Sequence, residues 1–260
     1  AIFLCVAFYE LLGICVAYKK QPEVSNTTKK ETKNGSWNEC SENTERAVII
    51  EKNPEALLQR VRLIKNAKKE IILSTFAFQS DESGKLILGA LHDAADRGVH
   101  IRLLVDGMES WIDMEGNPYF YGLSSHENVE IKLYNKANPL KPWKMMGRMH
   151  DKYLIADGKT YILGGRNTYN YFLGDFPGHK NYDRDVLVVC DEPEKENSVN
   201  QLLEYFETIW EQEDSGYFHD NKKLANRKSV KNAVLELQNG YQKYFEENKD
   251  CLLYTSDAAD

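Results

Sequence analysis

Apolar residues follow three different patterns along the chain. Residues 1–18, AIFLCVAFYELLGICVAY, are a continuous apolar run broken only by Glu10 and closed by Lys19 and Lys20. A run of that length is at the lower limit for crossing a bilayer, so it predicts a hydrophobic helix acting as a membrane anchor or uncleaved signal. A cleaved secretory signal is the main rival, although its apolar core is usually shorter and followed by small residues. Residues 19–46 carry no period and predict a polar tether.

From residue 47 the period switches between helix and strand. Asn53–Lys69 places apolar residues at helical spacing, with Asn53 as a cap ahead of Pro54. Glu70–Phe78 predicts a strand, Ser83–Arg97 a helix ended by Gly98, and His100–Val105 a strand stopped by Asp106-Gly107. This βαβ order predicts a parallel sheet covered by helices, and so the α/β class. Residues 108–128 are loop-like and aromatic, 129–134 resume a strand, and 135–147 form a second loop. Strands at 148–156, 159–165 and 184–190 follow in quick succession, and 195–249 read as helical with a break at Ser215-Gly216.

Composition narrows the picture little. The 260 residues are 42% hydrophobic and 28% charged, which excludes a disordered or collagen-like chain. A net charge of −7 argues against a nucleic-acid partner held by a bulk cationic field. Cys5, Cys15, Cys40, Cys190 and Cys251 are too scattered for a metal or redox motif.

The chemistry concentrates in Arg148–Asn167, RMHDKYLIADGKTYILGGRN. Asp157-Gly158 between two apolar runs predicts a two-residue hairpin turn. That turn would pair Leu154 with Tyr161, Lys152 with Leu163, His150 with Gly165 and Arg148 with Asn167. Strand parity then gathers Arg148, His150, Lys152, Gly165 and Asn167 on one face. Gly165 would leave a gap opposite the imidazole, where a tetrahedral anion could sit between Lys152 and Asn167 with His150 placed to attack.

His150, Lys152, Asp157, Gly164, Gly165 and Asn167 follow the spacing H-x-K-x4-D-x6-G-G-x-N. That pattern resembles the catalytic motif of the phospholipase D superfamily, and its GGRN form resembles cardiolipin-synthase-like members. The second of the two glycines is more often serine in that family. The similarity extends upstream through SDESGKLILGALHDAADRGVHIRLLVDG and downstream to YDRDVLVV, where Asp185 stands at the place of a family carboxylate. It covers about residues 50–210, one half of a two-motif enzyme. The resemblance implies an α-β-α sandwich with a mixed sheet, following the N-terminal hydrophobic helix. It also implies phosphodiester chemistry without metal or other cofactor: one histidine forms a phosphohistidine, a second protonates the leaving oxygen, and an alcohol or water resolves the intermediate.

His150 and Lys152 are accordingly the expected catalytic pair, with Asn167 as a further phosphate ligand. Asp185 either orients an imidazole or ends a turn, with Asp183 as its close competitor. Arg148 and Gly165 are expected at the substrate phosphate, with Gly164 as a second close-approach position. Asp157 is read as structural, because it occupies the turn, and Asp106 as a turn former. His92, His100, His126, His179 and His219 lack a motif and receive no role.

With the resemblance, the chain divides into an anchor or signal (1–18), a tether (19–46), a first catalytic half (47–212) and a helical segment leading to a second half (213–250). Residues 251–260, CLLYTSDAAD, resemble the translated read-through of a sequencing adapter, so a non-native tail is expected there, with the gene continuing past residue 250. The leading expectation is a phosphatidyltransferase of the cardiolipin-synthase type, anchored in a bacterial cell membrane with its side open. Its partners would be phospholipid, the membrane and a second half from the same chain or a second copy. The alternatives are a dimeric phosphodiesterase or nuclease, and a catalytically incomplete binding module.

Overall fold

The computed structural model describes residues 2–19, 26, 45–192, 197–219 and 223–253. The first apolar run forms a helix, α1 (Ile2–Lys19). At 1.5 Å per residue its 18 residues reach roughly 27 Å, short of a hydrocarbon core of about 30 Å. Among the described residues no helix is long and apolar enough to cross a membrane. α1 lies against the loop after residue 137: the Tyr9 hydroxyl donates to the Leu140 carbonyl at 3.0 Å, and a side chain at Gly13 would crowd Pro142. Most of the expected tether lies outside the described residues, which resume as a continuous stretch at Glu45.

Among the described residues eight strands build one mixed sheet. In chain order they are β1 (Glu45–Ile50), β2 (Glu70–Thr75), β3 (His100–Asp106), β4 (Val129–Tyr134), β5 (Tyr153–Ala156), β6 (Thr160–Gly164), β7 (Asp185–Cys190) and β8 (Ser215–Tyr217). Across the sheet they run β1-β7-β6-β5-β2-β3-β4-β8. β2, β3 and β4 are parallel, as the βαβ pattern requires, and every other pairing is antiparallel.

The crossovers are helical for local reasons. α2 (Asn53–Asn66) starts with Pro54 in its first turn, where a missing N–H costs nothing. Asn53 is not its cap. Lys52 holds that position, while the Asn53 amide turns inward, donating to the Tyr171 and Asn181 carbonyls and accepting from Arg166 Nε. α3 (Glu82–Asp96) is capped by Asp81, whose carboxylate accepts from the Gly84 N–H. Gly98 then turns the chain at φ +87°. The aromatic loop expected over 108–128 instead holds α4 (Glu109–Asp113) and α5 (Pro118–Ser124). Asn117 caps α5 and Phe120 packs edge-on against Phe78 in the core, so part of that aromatic cluster is packing.

Strand alternation sends side chains to two cores. On one face Ile71, Leu73, Ile101, Leu103 and Ile162 meet α2, α3 and α5. The same core receives Leu237, Tyr241 and Phe245 from α7 (Lys228–Glu247) and Leu252 from α8 (Lys249–Leu253). On the other face Ile72, Leu104, Ile155 and Val188 meet Val199, Phe206 and Trp210 of α6 (Ser198–Trp210). Helices therefore cover both sides of the sheet. The segment read as a helical connection from residue 213 supplies the edge strand β8 and then α7, which shares the core of the preceding residues. Of the residues read as a foreign tail, 254–260 lie outside the described residues, whereas Leu252 is fully buried.

The central hairpin departs from expectation by one residue. Asp157 and Gly158 both adopt positive φ, 54° and 61°, and the Lys159 N–H closes the turn on the Ala156 carbonyl at 3.1 Å. Lys159 then stays outside the ladder, and its carbonyl accepts from the Cys190 N–H on β7. Ala156 thus pairs with Thr160 and Tyr153 with Leu163. Lys152 comes opposite Gly164 instead of Leu163, and residues 148–152 lie outside any strand. The face expected from a regular ladder is therefore not how Arg148, His150 and Asn167 are arranged.

Candidate active site

The candidate site lies where the parallel strands β2 and β3 end, the edge of an α/β sheet at which backbone turns open a crevice. Its centre is an extended segment that runs into β5. The His150 ring is exposed, and its Nδ1 is 3.0 Å from Lys152 Nζ. Lys152 also donates to the His150 carbonyl at 2.6 Å. An ammonium can only donate, so Nδ1 accepts and the proton of the neutral ring sits on Nε2. Phe76, just past the end of β2, braces both groups: its ring lies 4.6 Å from the imidazole, tilted at 51°, and 5.4 Å from Nζ, a distance that suits a cation–π contact.

Lys152 is buried, and desolvation pulls its pKa below the ordinary 10.5, opposed by the negative charges of Asp151 and Asp183. Asn167 is also buried. Its Oδ1 accepts from the Ala77 N–H at 3.2 Å, and its amide hydrogen-bonds with Tyr169. The turn after β2 thus reaches Asn167 through Ala77 and the His150–Lys152 pair through Phe76.

Other expected ligands are engaged elsewhere. Arg148 forms an ion pair with Asp106 Oδ1 at 3.0 Å and donates to the Asn135 carbonyl at 2.5 Å, so its guanidinium braces the segment instead of opening toward a phosphate. Gly165 does not leave an empty gap, because a side chain there would overlap the carboxylate of Asp183. Gly164 is likewise tight against Asp185 and the Arg184 carbonyl. Both glycines therefore admit carboxylates to close approach. Asp185 makes no bond to His150: its Oδ2 pairs with Arg60 at 2.8 Å and Arg166 at 3.2 Å, all three side chains are buried, and Oδ1 has no partner. Asp157 accepts from the backbone N–H groups of Lys68, Lys69 and Glu70, the structural position read for it.

Two residues escaped the sequence reading. Asp106, read as a turn former, does accept from the Met108 and Glu109 N–H groups. It also holds Arg148 and the Met149 N–H, which fixes the segment one residue before His150. Phe76 was hidden inside an apolar run. The signal available for both was their place at the carboxyl ends of adjacent parallel strands. Among the described residues no cluster of three His, Cys, Asp or Glu side chains is arranged to hold a metal ion.

A family model described as cardiolipin synthase, PLD-like domain, matches residues 60–210, a stretch that contains His150, Lys152, Asn167 and the side chains around them. The chain belongs to the phospholipase D superfamily. An uncharacterized protein of Helicobacter pylori strain J99 is 31% identical over 212 residues, covering 76% of this chain and 39% of that protein. Cardiolipin synthase C of Escherichia coli K12 is 29% identical over 171 residues, covering 60% of this chain and 34% of the relative. This phospholipase D-like chain thus spans less than half the length of either relative. Its fold is similar to a crystal structure of phosphatidylserine synthase from Haemophilus influenzae Rd KW20, at a TM-score of 0.53 and 18% identity, over 78% of this chain and 45% of that one.

Proposed function

We propose that the chain carries one catalytic half of a membrane-associated phosphatidyltransferase of the cardiolipin-synthase type, with His150 as the nucleophile. The observation that carries this reading is the His150–Lys152 pair, 3.0 Å apart and braced by Phe76, inside the segment matched by the cardiolipin synthase family model. A phosphate oxygen is a stronger acceptor for an ammonium than a neutral imidazole. An arriving phosphodiester would therefore draw Lys152 off Nδ1 and free that nitrogen. The nitrogen attacks phosphorus, an N–P bond forms, and the ester P–O bond to the first alcohol breaks. Lys152 and the Asn167 amide stabilise charge on the phosphoryl oxygens. The departing alkoxide takes a proton from a second histidine, since these 260 residues contain a single H-x-K-x4-D. A second half, from the same protein or another copy, supplies that histidine. A lipid alcohol then gives its proton to that second histidine and attacks the phosphohistidine, so that a new P–O bond forms, the N–P bond breaks and the His150 imidazole is regenerated.

The test uses the full-length protein in membranes supplied with phosphatidylglycerol. Cardiolipin should form, and His150→Asn should reduce its formation by on the order of 10³-fold or more. A folded full-length protein that forms no cardiolipin refutes the transferase. Release of free phosphatidic acid alone, or cleavage of an oligonucleotide alone, would point to the dimeric phosphodiesterase instead. Full activity in His150→Asn would leave only a binding module.

A further inference from the structure

Residues 135–150, NKANPLKPWKMMGRMH, carry Lys136, Lys141, Lys144 and Arg148 and no acid, in a chain whose net charge is −7. The same stretch holds large apolar side chains turned to solvent: Leu140 is 79% exposed, Met146 53% and Trp143 46%. On α4, Trp111 and Ile112 are also exposed, at 68% and 67%. These elements adjoin one another. Trp111, Pro139 and Met145 wall one cleft of about 730 Å³ together with Ile14 of α1. Phe3, Leu4 and Phe8 of α1 are likewise open to solvent. Three separate segments thus contribute to one exposed apolar region beside the segment that leads into His150.

We propose that this region is a docking surface for an anionic lipid bilayer, with the 135–146 loop and the α4 tip entering the headgroup layer. This deepens the reading above by assigning the surface through which a lipid substrate would arrive. Tryptophan has an apolar body and a polar N–H suited to the interface, and lysines beside it reach lipid phosphates. Lys141 is exposed, whereas Lys136 and Lys144 donate to the Tyr217 carbonyl and to Asp214 and so hold the loop in place. Lys141 is therefore the cation available to an anionic headgroup, and the apolar tips gain by leaving water. Glu10 and Glu115 also line the cleft, and the Glu115 carboxylate hydrogen-bonds with His219 at 3.0 Å.

Vesicle flotation tests the proposal, using the chain with α1 intact and vesicles of phosphatidylcholine alone or mixed equally with phosphatidylglycerol. The native chain should bind the mixed vesicles more tightly, and added salt should weaken that preference. The double variant Leu140→Ser, Trp143→Ser should bind about tenfold more weakly or worse. Lys141→Glu, at an exposed side chain, should lose the preference for the mixed vesicles while retaining the native melting temperature. Undiminished binding by both variants would overturn the assignment and leave α1 or another face as the contact. Binding to a single-stranded oligonucleotide but to no vesicle would overturn it as well. The two readings fail separately. A protein that binds vesicles yet forms no cardiolipin refutes only the transferase. One that forms cardiolipin from detergent-dispersed lipid, while its loop variants bind vesicles as the native chain does, refutes only the docking surface.

Discussion

Lys152 shows the tension between stability and chemistry within one side chain. It is buried beside an imidazole and a phenyl ring, where a cation is poorly solvated, and its pKa is accordingly lowered from 10.5. Because folding favours the neutral form, the unfolded chain binds more protons between the folded-state pKa and 10.5. The cost to stability is therefore fully present below the folded-state pKa and is relieved as pH rises toward the unfolded value. Lys152→Met, of similar length, should melt at a higher temperature than the native chain near neutral pH, and the advantage should shrink in alkali. The same variant should lower kcat of the full-length enzyme by about 10²–10³-fold, the usual effect of removing one donor to a transition-state oxyanion. Thermal melts over a pH series check the first expectation, and steady-state kinetics check the second. A variant less stable than the native chain at every pH would contradict this account of the buried ammonium. That the His150 and Lys152 side chains meet, 3.0 Å apart, was legible from their spacing of two residues. The bracing of its segment was not, since Asp106 and Arg148 are 42 residues apart in sequence and meet only when β3 is in place.

At the scale of elements, local signals were read well and non-local ones were missed. The βαβ order, the Asp157-Gly158 turn and the Gly98 stop follow from period and backbone conformation, which neighbouring residues determine. The hairpin carries one extra residue, Lys159, whose carbonyl accepts from the Cys190 N–H 31 residues away, and the two-residue turn signal does not reveal that extra residue. That single shift moved Lys152 opposite Gly164, and the glycines expected to admit an anion admit Asp183 and Asp185 instead. Asp157 joins the hairpin to the start of β2 by accepting from three consecutive backbone N–H groups. Asp157→Ala should cost about 1–3 kcal/mol, through lost hydrogen bonds and an alanine forced to φ 54°. Asp157→Asn keeps an oxygen acceptor and tolerates the left-handed region, so it should cost less. Denaturant unfolding gives both values. Equal losses would show that the carboxylate charge, not the backbone conformation, dominates at this turn.

For the whole molecule, the question is whether the residues after 212 extend the fold or merely follow it. Their amphipathic period was legible, but periodicity alone does not say which surface a helix covers. α7 lies close against α3: a side chain at Gly89 would overlap the Leu237 carbonyl and Tyr241, and Leu237, Tyr241 and Phe245 enter the core that Ile71, Leu103 and Leu88 also occupy. An isolated connecting helix would instead leave that apolar stripe to solvent, and truncating one residue of it would change stability by only a few tenths of a kcal/mol. Leu237 is 1% exposed, so Leu237→Ala should remove its transfer free energy and leave a cavity, at a cost of about 2–5 kcal/mol. Guanidinium unfolding followed by far-ultraviolet circular dichroism and by tryptophan fluorescence separates the alternatives. Trp210 is the one buried tryptophan among the described residues and lies in the core beneath α6, on the opposite face of the sheet, so its emission reports unfolding of that layer. If α7 and the sheet unfold as one unit, both probes should move together to the same lower midpoint in Leu237→Ala. A midpoint that falls by circular dichroism while the fluorescence midpoint holds would make α7 a separately melting element and confine the cooperative unit to the residues before it.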